Sequence, residues 1–315
     1  MDHRPALLLI AHGTRNPRGP VEMDELVGLL GRRLDTPVAS AWLEHDLIEP
    51  DPVTAAGRLV ADGARAIVTL PFLVLGAGHA KTDVPGSVAA IHDSHPGVAL
   101  RHGRVLGLHP SLFALARERV ASARPWPEPP GGGEALLVTG AGSSDPDANG
   151  DLAKATRFLA ETTGHRWAEN AYAGVTWPTA DVALHRIAAA GGRRVVRFSW
   201  SLLAGVLEER VDRWAAEAAK RTGIEIVDAG RFGPAREVAE AVADRYREAL
   251  AGEARMNCDL CQFRLPLPGR ERRAGLASAG GTGERVHPAA MPIRRADAPP
   301  ASPAMGRAPS VEPGS

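Results

Sequence analysis

Cysteine is nearly absent from this chain of 315 residues, which contains only two. Two thiols cannot build a disulfide framework, so the fold must rest on a hydrophobic core. Aromatic residues are also scarce, at 4% of the sequence. Neither sign of charge is in excess, because Lys+Arg and Asp+Glu both number 37. This balance excludes a uniformly basic surface of the kind that attracts nucleic acid or anionic membranes.

A long apolar segment is lacking as well. The N-terminal apolar run covers Ala6–Ala11, which is too short for the core of a signal peptide. No run approaches the roughly 20 residues that are needed to cross a bilayer. We therefore expect a cytoplasmic protein, with no membrane or nucleic-acid partner, whose length suffices for two domains.

Short apolar runs alternate with longer amphipathic segments along most of the chain. Strands that alternate with helices pair in parallel through right-handed crossovers, which predicts an α/β fold with doubly wound parallel sheets. The predicted strands are Ala6–Ala11, Val38–Leu43, Ala66–Leu75, Val98–Arg101, Ala135–Thr139, Ala168–Ala173, Arg194–Trp200 and Glu225–Asp228.

The second half resembles a copy of the first, which indicates an internal duplication. "ALLLIAHGTRNP" matches "ALLVTGAGSSDP", and "DGARAIVTLPF" matches "AGGRRVVRFSW". A break rich in proline and glycine, "ARPWPEPPGGGE", separates the halves, and we expect the proline-rich tail to be mostly disordered. The predicted organisation is a domain at 1–124, a linker at 125–133, a degenerate domain at 134–251 and a tail at 252–315.

Three polar residues follow successive strands of the first half. His12 follows the first strand, Glu44 the second, and His79 lies in a glycine-rich loop after the third. The carboxyl ends of parallel strands meet at one edge of a sheet, so these side chains should converge there. Imidazole and carboxylate suit a divalent transition metal and also accept protons near neutral pH. Taken singly, each residue is equally compatible with an ordinary buried imidazole or a solvated surface group.

The second half has lost these three polar residues. In the alignment of the halves, Ala141 stands opposite His12, Leu207 opposite His79 and, with a short gap, Gly174 opposite Glu44. The second copy should therefore be catalytically silent and form the other wall of a single cleft.

The stretches "AHGTRNPRG", "WLEHD" and "PFLVLGAGHAKTDVP" resemble the CbiX/SirB group of sirohydrochlorin chelatases, in the two-domain long form. The resemblance implies a lyase that inserts Co(II) or Fe(II) into sirohydrochlorin, in cobalamin or siroheme biosynthesis, with no organic cofactor. It implies that His12 and His79 bind the metal or take protons and that Glu44 assists. The sequence does not decide between cobalt and iron.

A tetrapyrrole rich in carboxylates requires cations in the cleft. Arg15, Arg18 and Lys81 flank the two histidines and are the candidates for substrate binding, although each could equally be a solvated surface charge. Near the C-terminus, Cys258 and Cys261 lie in an M-x-C-x-x-C motif that long-form family members associate with an iron–sulfur cluster. Two thiolates cannot complete a four-cysteine set, so exposed thiols, zinc binding and redox pairing remain open.

Three other readings of the motifs are weaker. A histidine phosphatase needs an arginine before the histidine, and Ala11 stands there. A nucleotide-binding module needs a G-x-G-x-x-G or Walker loop, which does not follow the first strand. A non-catalytic metal or tetrapyrrole carrier would keep His12 and His79 as ligands without turnover. The oligomeric state, monomer or homodimer, is undecided.

Overall fold

The computed structural model describes residues 4–44, 46–123 and 133–255. The first repeat has a four-stranded parallel sheet with the strand order β2-β1-β3-β4. Its strands are β1 (Ala6–Ala11), β2 (Val38–Trp42), β3 (Ala66–Pro71) and β4 (Ala99–His102), and its helices are α1 (Arg18–Leu34), α2 (Pro52–Ala61), α3 (Gly78–Lys81), α4 (Asp83–Ser94) and α5 (Pro110–Ser122).

The second repeat has the same architecture, with a parallel sheet in the equivalent order β6-β5-β7-β8. The repeated order confirms the predicted α/β fold with two similar sheets. Its strands are β5 (Glu134–Gly140), β6 (Ala168–Tyr172), β7 (Arg194–Ser199) and β8 (Glu225–Arg231), and its helices are α6 (Pro146–Thr163), α7 (Ala180–Ala189), α8 (Val206–Thr222) and α9 (Arg236–Ala251).

The helix boundaries follow local chemistry. The Asp51 carboxylate accepts hydrogen bonds from the backbone N–H of Val53 at 2.8 Å and of Thr54 at 3.1 Å, so it caps the start of α2. Asp145 caps α6 in the same way, with a proline at the next position. Gly164 ends α6 in the left-handed region at φ 75°, which favours a residue without Cβ. None of the helices in the described ranges is long and apolar enough to cross a membrane.

The two sheets share one hydrophobic core. Leu7 and Leu9 of β1 belong to the same buried cluster as Leu136 and Val138 of β5. Leu8, between them in β1, packs into a separate cluster on the opposite face of its sheet. Alternate residues of a strand point to opposite faces, so one face of each sheet contributes to the common core.

The repeats exchange their last helices. Helix α9 of the second repeat packs on β3 and β4, whereas α5 of the first repeat packs on β7 and β8. The Tyr246 hydroxyl of α9 donates a hydrogen bond to the Pro5 carbonyl at 2.6 Å, and the Arg245 guanidinium donates one to the Leu106 carbonyl at 2.7 Å. Each sheet is therefore completed by a helix from the other repeat.

We expect a chain shortened to end at Ala235, which lacks α9, to lose the order of the first sheet, since the apolar face of β3 and β4 is then uncovered. Hydrogen exchange of the β3 amides measures this, and they should lose most of their protection. A chain that ends at Arg255 retains α9 and is the matched control. Full protection of β3 in the shorter chain would contradict the assigned role of α9.

A second inter-repeat contact is ionic. Arg231, at the end of β8, pairs with the buried Glu22 of α1. Its Nε lies 3.5 Å from Oε2 of Glu208 in the first turn of α8. Burial raises the pKa of Glu208 to about 7, the positive charge of Arg231 lowers it in part, and the carboxylate of Asp212 raises it further.

This carboxyl group makes stability depend on pH. A glutamate in an unfolded chain has a pKa of roughly 4.3, so the folded protein binds the proton more tightly, and this stabilisation is lost as the pH rises through about 7. We expect Glu208→Gln to increase the free energy of unfolding at about pH 8 by about 1–3 kcal/mol and to flatten its change between about pH 5 and about pH 8.

Chemical denaturation at several pH values measures this difference. Glu217→Gln, an exposed substitution on the same helix, is the control and should follow the wild-type curve. The same pH dependence in wild type and Glu208→Gln would show that Glu208 is not responsible.

Candidate active site

His12 lies directly after β1, at the carboxyl end of the first sheet, with its side chain 43% exposed. The next residue, Gly13, has φ 123°, a conformation that other residues rarely adopt. A Cβ at this position would lie 2.8 Å from Cβ of Glu44, so glycine is also required for the close approach of the loop after β2. The H-G pair therefore places the carboxylate of Glu44 beside the imidazole.

His79 lies on the short helix α3, within the stretch expected to be a glycine-rich loop. Its Nε2 is 2.9 Å from Nε2 of His12, and the two rings meet edge to face with their centroids 4.3 Å apart. At this separation one imidazole donates a hydrogen bond to the other, so the pair shares one proton.

Each imidazole has a carboxylate at its Nδ1. Oε2 of Glu44 lies 3.9 Å from Nδ1 of His12, and Asp83 makes a short hydrogen bond with Nδ1 of His79. The Asp83 carboxylate holds Nδ1 of His79 protonated, so that Nε2 is the ring atom that faces His12. Nδ1 of His12 has the Gly13 carbonyl oxygen as its hydrogen-bond partner, at 3.3 Å, with the Glu44 carboxylate farther away. Sequence reasoning missed Asp83, although the i,i+4 spacing to His79 in "HAKTD" is a signal for such a pair.

Burial and the nearby charge of His79 lower the pKa of His12, and the negative charge of Glu44 partly opposes this. The hydrogen bond from His79 lowers the pKa of Asp83, which is therefore a carboxylate at neutral pH. His12 is accordingly neutral near pH 7 and can act as a metal ligand or a proton acceptor.

The spacing of the two Nε2 atoms suits one metal ion. A metal–nitrogen distance of roughly 2.1 Å and the Nε2–Nε2 distance of 2.9 Å give an angle of about 90° at an ion bound to both atoms. In the part of the chain that the structure describes, no three His, Cys, Asp or Glu side chains form a metal-binding group. Glu44, expected as a ligand, instead lies behind His12 on its Nδ1 side, so the imidazole pair leaves other coordination positions open.

The second repeat contacts the loop that follows β1. The Thr14 hydroxyl donates a hydrogen bond to the Ala204 carbonyl at 3.2 Å, which joins the loop after β1 to the loop after β7. Close to this junction, Val206 and Leu207 are exposed. Ala141 and Gly174 follow β5 and β6, so strand ends without polar side chains replace those that carry the site in the first repeat.

One loop of the second repeat has two exposed apolar side chains. Val175 is 78% exposed and Trp177 is 61% exposed. Val175 has φ 65°, which is strained for a β-branched residue. The Arg186 guanidinium lies over the Trp177 ring, 5.4 Å from its centroid. Nothing in the sequence singled out this loop, because its exposure depends on the tertiary structure.

The predicted substrate-binding cations differ in their environments. Arg15 and Arg18 are exposed, and Nη2 of Arg18 lies 3.6 Å from Oε1 of Glu22. Lys81 is buried instead, with its ammonium between Asp145 and Asp147 of the second repeat. Its charge is thus already neutralised, which argues against the expected role as a carboxylate-binding group.

The predicted cluster ligands Cys258 and Cys261 lie outside the described residues, as do most of the predicted tail and most of the linker. The C-x-x-C motif therefore remains an observation on the sequence alone.

Comparisons with known proteins agree with this architecture. The CbiX family model matches residues 6–123 and again residues 135–249. A sirohydrochlorin cobaltochelatase from Priestia megaterium is 32% identical over 265 residues, which cover 83% of this chain and 85% of that protein. A sirohydrochlorin ferrochelatase from the same organism is 24% identical over 211 residues, or 67% of this chain and 78% of that protein.

Among solved structures, SirB from Bacillus subtilis with Fe3+ has a TM-score of 0.69 at 22% identity, covering 79% of this chain and 96% of that one. At this identity the likeness supports the fold alone. The family model, in contrast, accounts for both repeats and thus for most of the sequence. This chain belongs to the CbiX family.

Proposed function

We propose that this protein is a sirohydrochlorin chelatase, a lyase that inserts Co(II) or Fe(II) into the tetrapyrrole. The observation that carries the proposal is the 2.9 Å contact between Nε2 of His12 and Nε2 of His79 at the carboxyl edge of the first sheet. Membership of the CbiX family and the names of the relatives support the same reaction.

The proposed mechanism exchanges protons for a metal ion. The two Nε2 lone pairs of His12 and His79 would hold the incoming ion, and the proton that they share would pass to solvent. Insertion places the ion on the four nitrogens of the macrocycle, which must release two N–H protons. When the ion leaves, two Nε2 lone pairs become free, so the imidazoles can accept these protons and pass them to solvent.

The carboxylates near the two imidazoles orient the rings and balance their charge during this exchange. Asp83 holds Nδ1 of His79 and the Gly13 carbonyl holds Nδ1 of His12, so that Nε2 remains the atom of each ring that would meet the ion. The negative charges of Asp83 and Glu44 also compensate the positive charge of the imidazole pair during proton uptake.

The second repeat contributes apolar surface for the macrocycle. Trp177 and Val175 provide exposed apolar area in the loop after β6, and the flat conjugated ring of the substrate would pack on these side chains. For the substrate carboxylates we propose Arg15, Arg18 and Arg186 as partners, since a guanidinium binds a carboxylate through two N–H groups.

The metal preference is a finer proposal. Imidazole ligands follow the general order of divalent affinities and do not by themselves select cobalt over iron. The identity to the cobaltochelatase, 32% against 24% for the ferrochelatase of the same organism, favours cobalt. An insertion assay with sirohydrochlorin and either Co(II) or Fe(II), beside metal-free controls, tests the function and its metal. A cytoplasmic location stays a prediction from the sequence, and the iron–sulfur cluster and the choice between monomer and homodimer stay open.

We expect His12→Ala and His79→Ala each to reduce kcat for metal insertion by roughly 100-fold or more, because each removes a metal ligand and proton acceptor. The absorbance of sirohydrochlorin follows the reaction. His92→Ala, at an exposed position on α4, is the control and should retain full activity. Near-normal turnover by either active-site variant would refute the assigned roles.

We expect Trp177→Ala to raise KM for sirohydrochlorin by about tenfold with little change in kcat, because the ring binds substrate without touching the reacting nitrogens. Steady-state kinetics at saturating Co(II) separate the two constants. Phe158→Ala removes another exposed aromatic ring, on α6, and should leave KM unchanged. An unchanged KM in Trp177→Ala would remove this loop from the substrate site.

A further inference from the structure

A buried ion triad joins the helix of His79 to the second repeat. Lys81 lies two residues after His79 on α3. Its Nζ is 2.6 Å from Oδ2 of Asp147 and 2.9 Å from Oδ2 of Asp145, both at the start of α6. The three side chains are only 7%, 11% and 1% exposed, respectively.

The triad contains one positive charge and two negative charges. The Lys81 ammonium donates a hydrogen bond to the Asp147 carboxylate and also lies beside the Asp145 carboxylate. The Lys81 ammonium is the counter-charge that Oδ2 of Asp145 faces, at 2.9 Å. The start of α6 carries a positive partial charge that compensates the second carboxylate. Loss of Lys81 would leave two buried carboxylates with only the partial charge of the helix start as compensation, so the ammonium is held close to both.

Helix α3 depends on contacts outside itself, which include its packing on α4 and the contacts of His79 with His12 and Asp83. It is four residues long and has one buried residue, Ala80. Its N-cap residue, Ala77, has no side chain that could cap the helix. Gly76 and Gly78 precede His79 and permit many backbone conformations. A segment this short is not stable by itself, so its position is set by tertiary contacts. The buried lysine joins α3 to the second repeat.

The two aspartates of the triad lie in the segment of the second repeat that corresponds to the segment after His12 in the first. In the alignment of the repeats, "AGSSDPD" stands where the first repeat has "HGTRNPR", so Asp145 and Asp147 replace Asn16 and Arg18. The segment that lost the histidine thus holds two carboxylates that reach the opposite repeat.

We propose that Lys81, Asp145 and Asp147 form a clamp by which the second repeat fixes His79 in place for binding of the metal substrate. Lys81 is a positioning residue that acts through the backbone of α3, and the two aspartates give the silent repeat a direct part in metal capture. This inference rests on the proposed function for the identity of the metal substrate, whereas the clamp itself is read from the geometry.

The test compares variants of the full chain that break the clamp with one that breaks another ion pair. Lys81→Met removes the cation, and Asp145→Asn with Asp147→Asn removes both anions while asparagine retains the capping of α6. Glu248→Gln is the matched control, because it breaks the inter-repeat pair with Arg104, at 2.9 and 3.0 Å, without touching α3.

Four quantities are measured for each variant: Co(II) affinity without tetrapyrrole, kcat, KM for sirohydrochlorin and Tm. We expect the clamp variants to weaken Co(II) binding by about 10- to 100-fold, the range seen when groups that orient metal ligands are removed, and to lower kcat with KM unchanged. Glu248→Gln should lower Tm without changing Co(II) affinity. Asp147→Glu retains the carboxylate, so we expect its Co(II) affinity to stay close to that of the wild type.

Two results would overturn the proposal. A raised KM with unchanged Co(II) affinity in Lys81→Met would mean that Lys81 binds a substrate carboxylate. Equal losses of Co(II) affinity in the clamp variants and in Glu248→Gln would mean that the triad only stabilises the fold. If the wild-type protein binds Co(II) but inserts none, the proposed function is wrong. The Co(II) affinities of the clamp variants, compared with those of wild type and Glu248→Gln, then still test the clamp.

Discussion

The meeting of two imidazoles at their Nε2 atoms is the interaction that organises this molecule. Each ring comes from a different strand end, and the two approach within 2.9 Å only because the strands run parallel and end at one edge. Gly13 makes room for Glu44, and Asp83 fixes the second ring from behind. The parallel sheet thus determines which groups can meet, and the loops determine which ring atoms face each other.

Much of this arrangement follows from the sequence. Apolar runs at regular spacing give the strands, and the rule that strand ends share an edge brings His12, Glu44 and His79 together. The match between the halves also predicts the second sheet and its missing polar residues. These inferences succeed because they depend on local periodicity and on one topological rule.

The remaining features depend on contacts between residues distant in the sequence. The charge of Lys81 is visible in the sequence, but its partners lie in the other repeat, so the residue looks like a free cation. Asp83 lies in a quoted motif, yet its role requires that the turn after His79 be helical. The amphipathic pattern of α9 predicts a helix without indicating which sheet it covers, because any apolar face satisfies the pattern.

The exchange of α5 and α9 bears on how such a chain can arise. Two separate copies of a single repeat can trade their last helices symmetrically, which is domain swapping, and form a homodimer of the same shape. In such a dimer every substitution appears twice. Fusion into one polypeptide removes that restriction, so one copy can retain the imidazoles while the other acquires different residues at the corresponding positions. Because each copy still completes its neighbour, neither can be discarded.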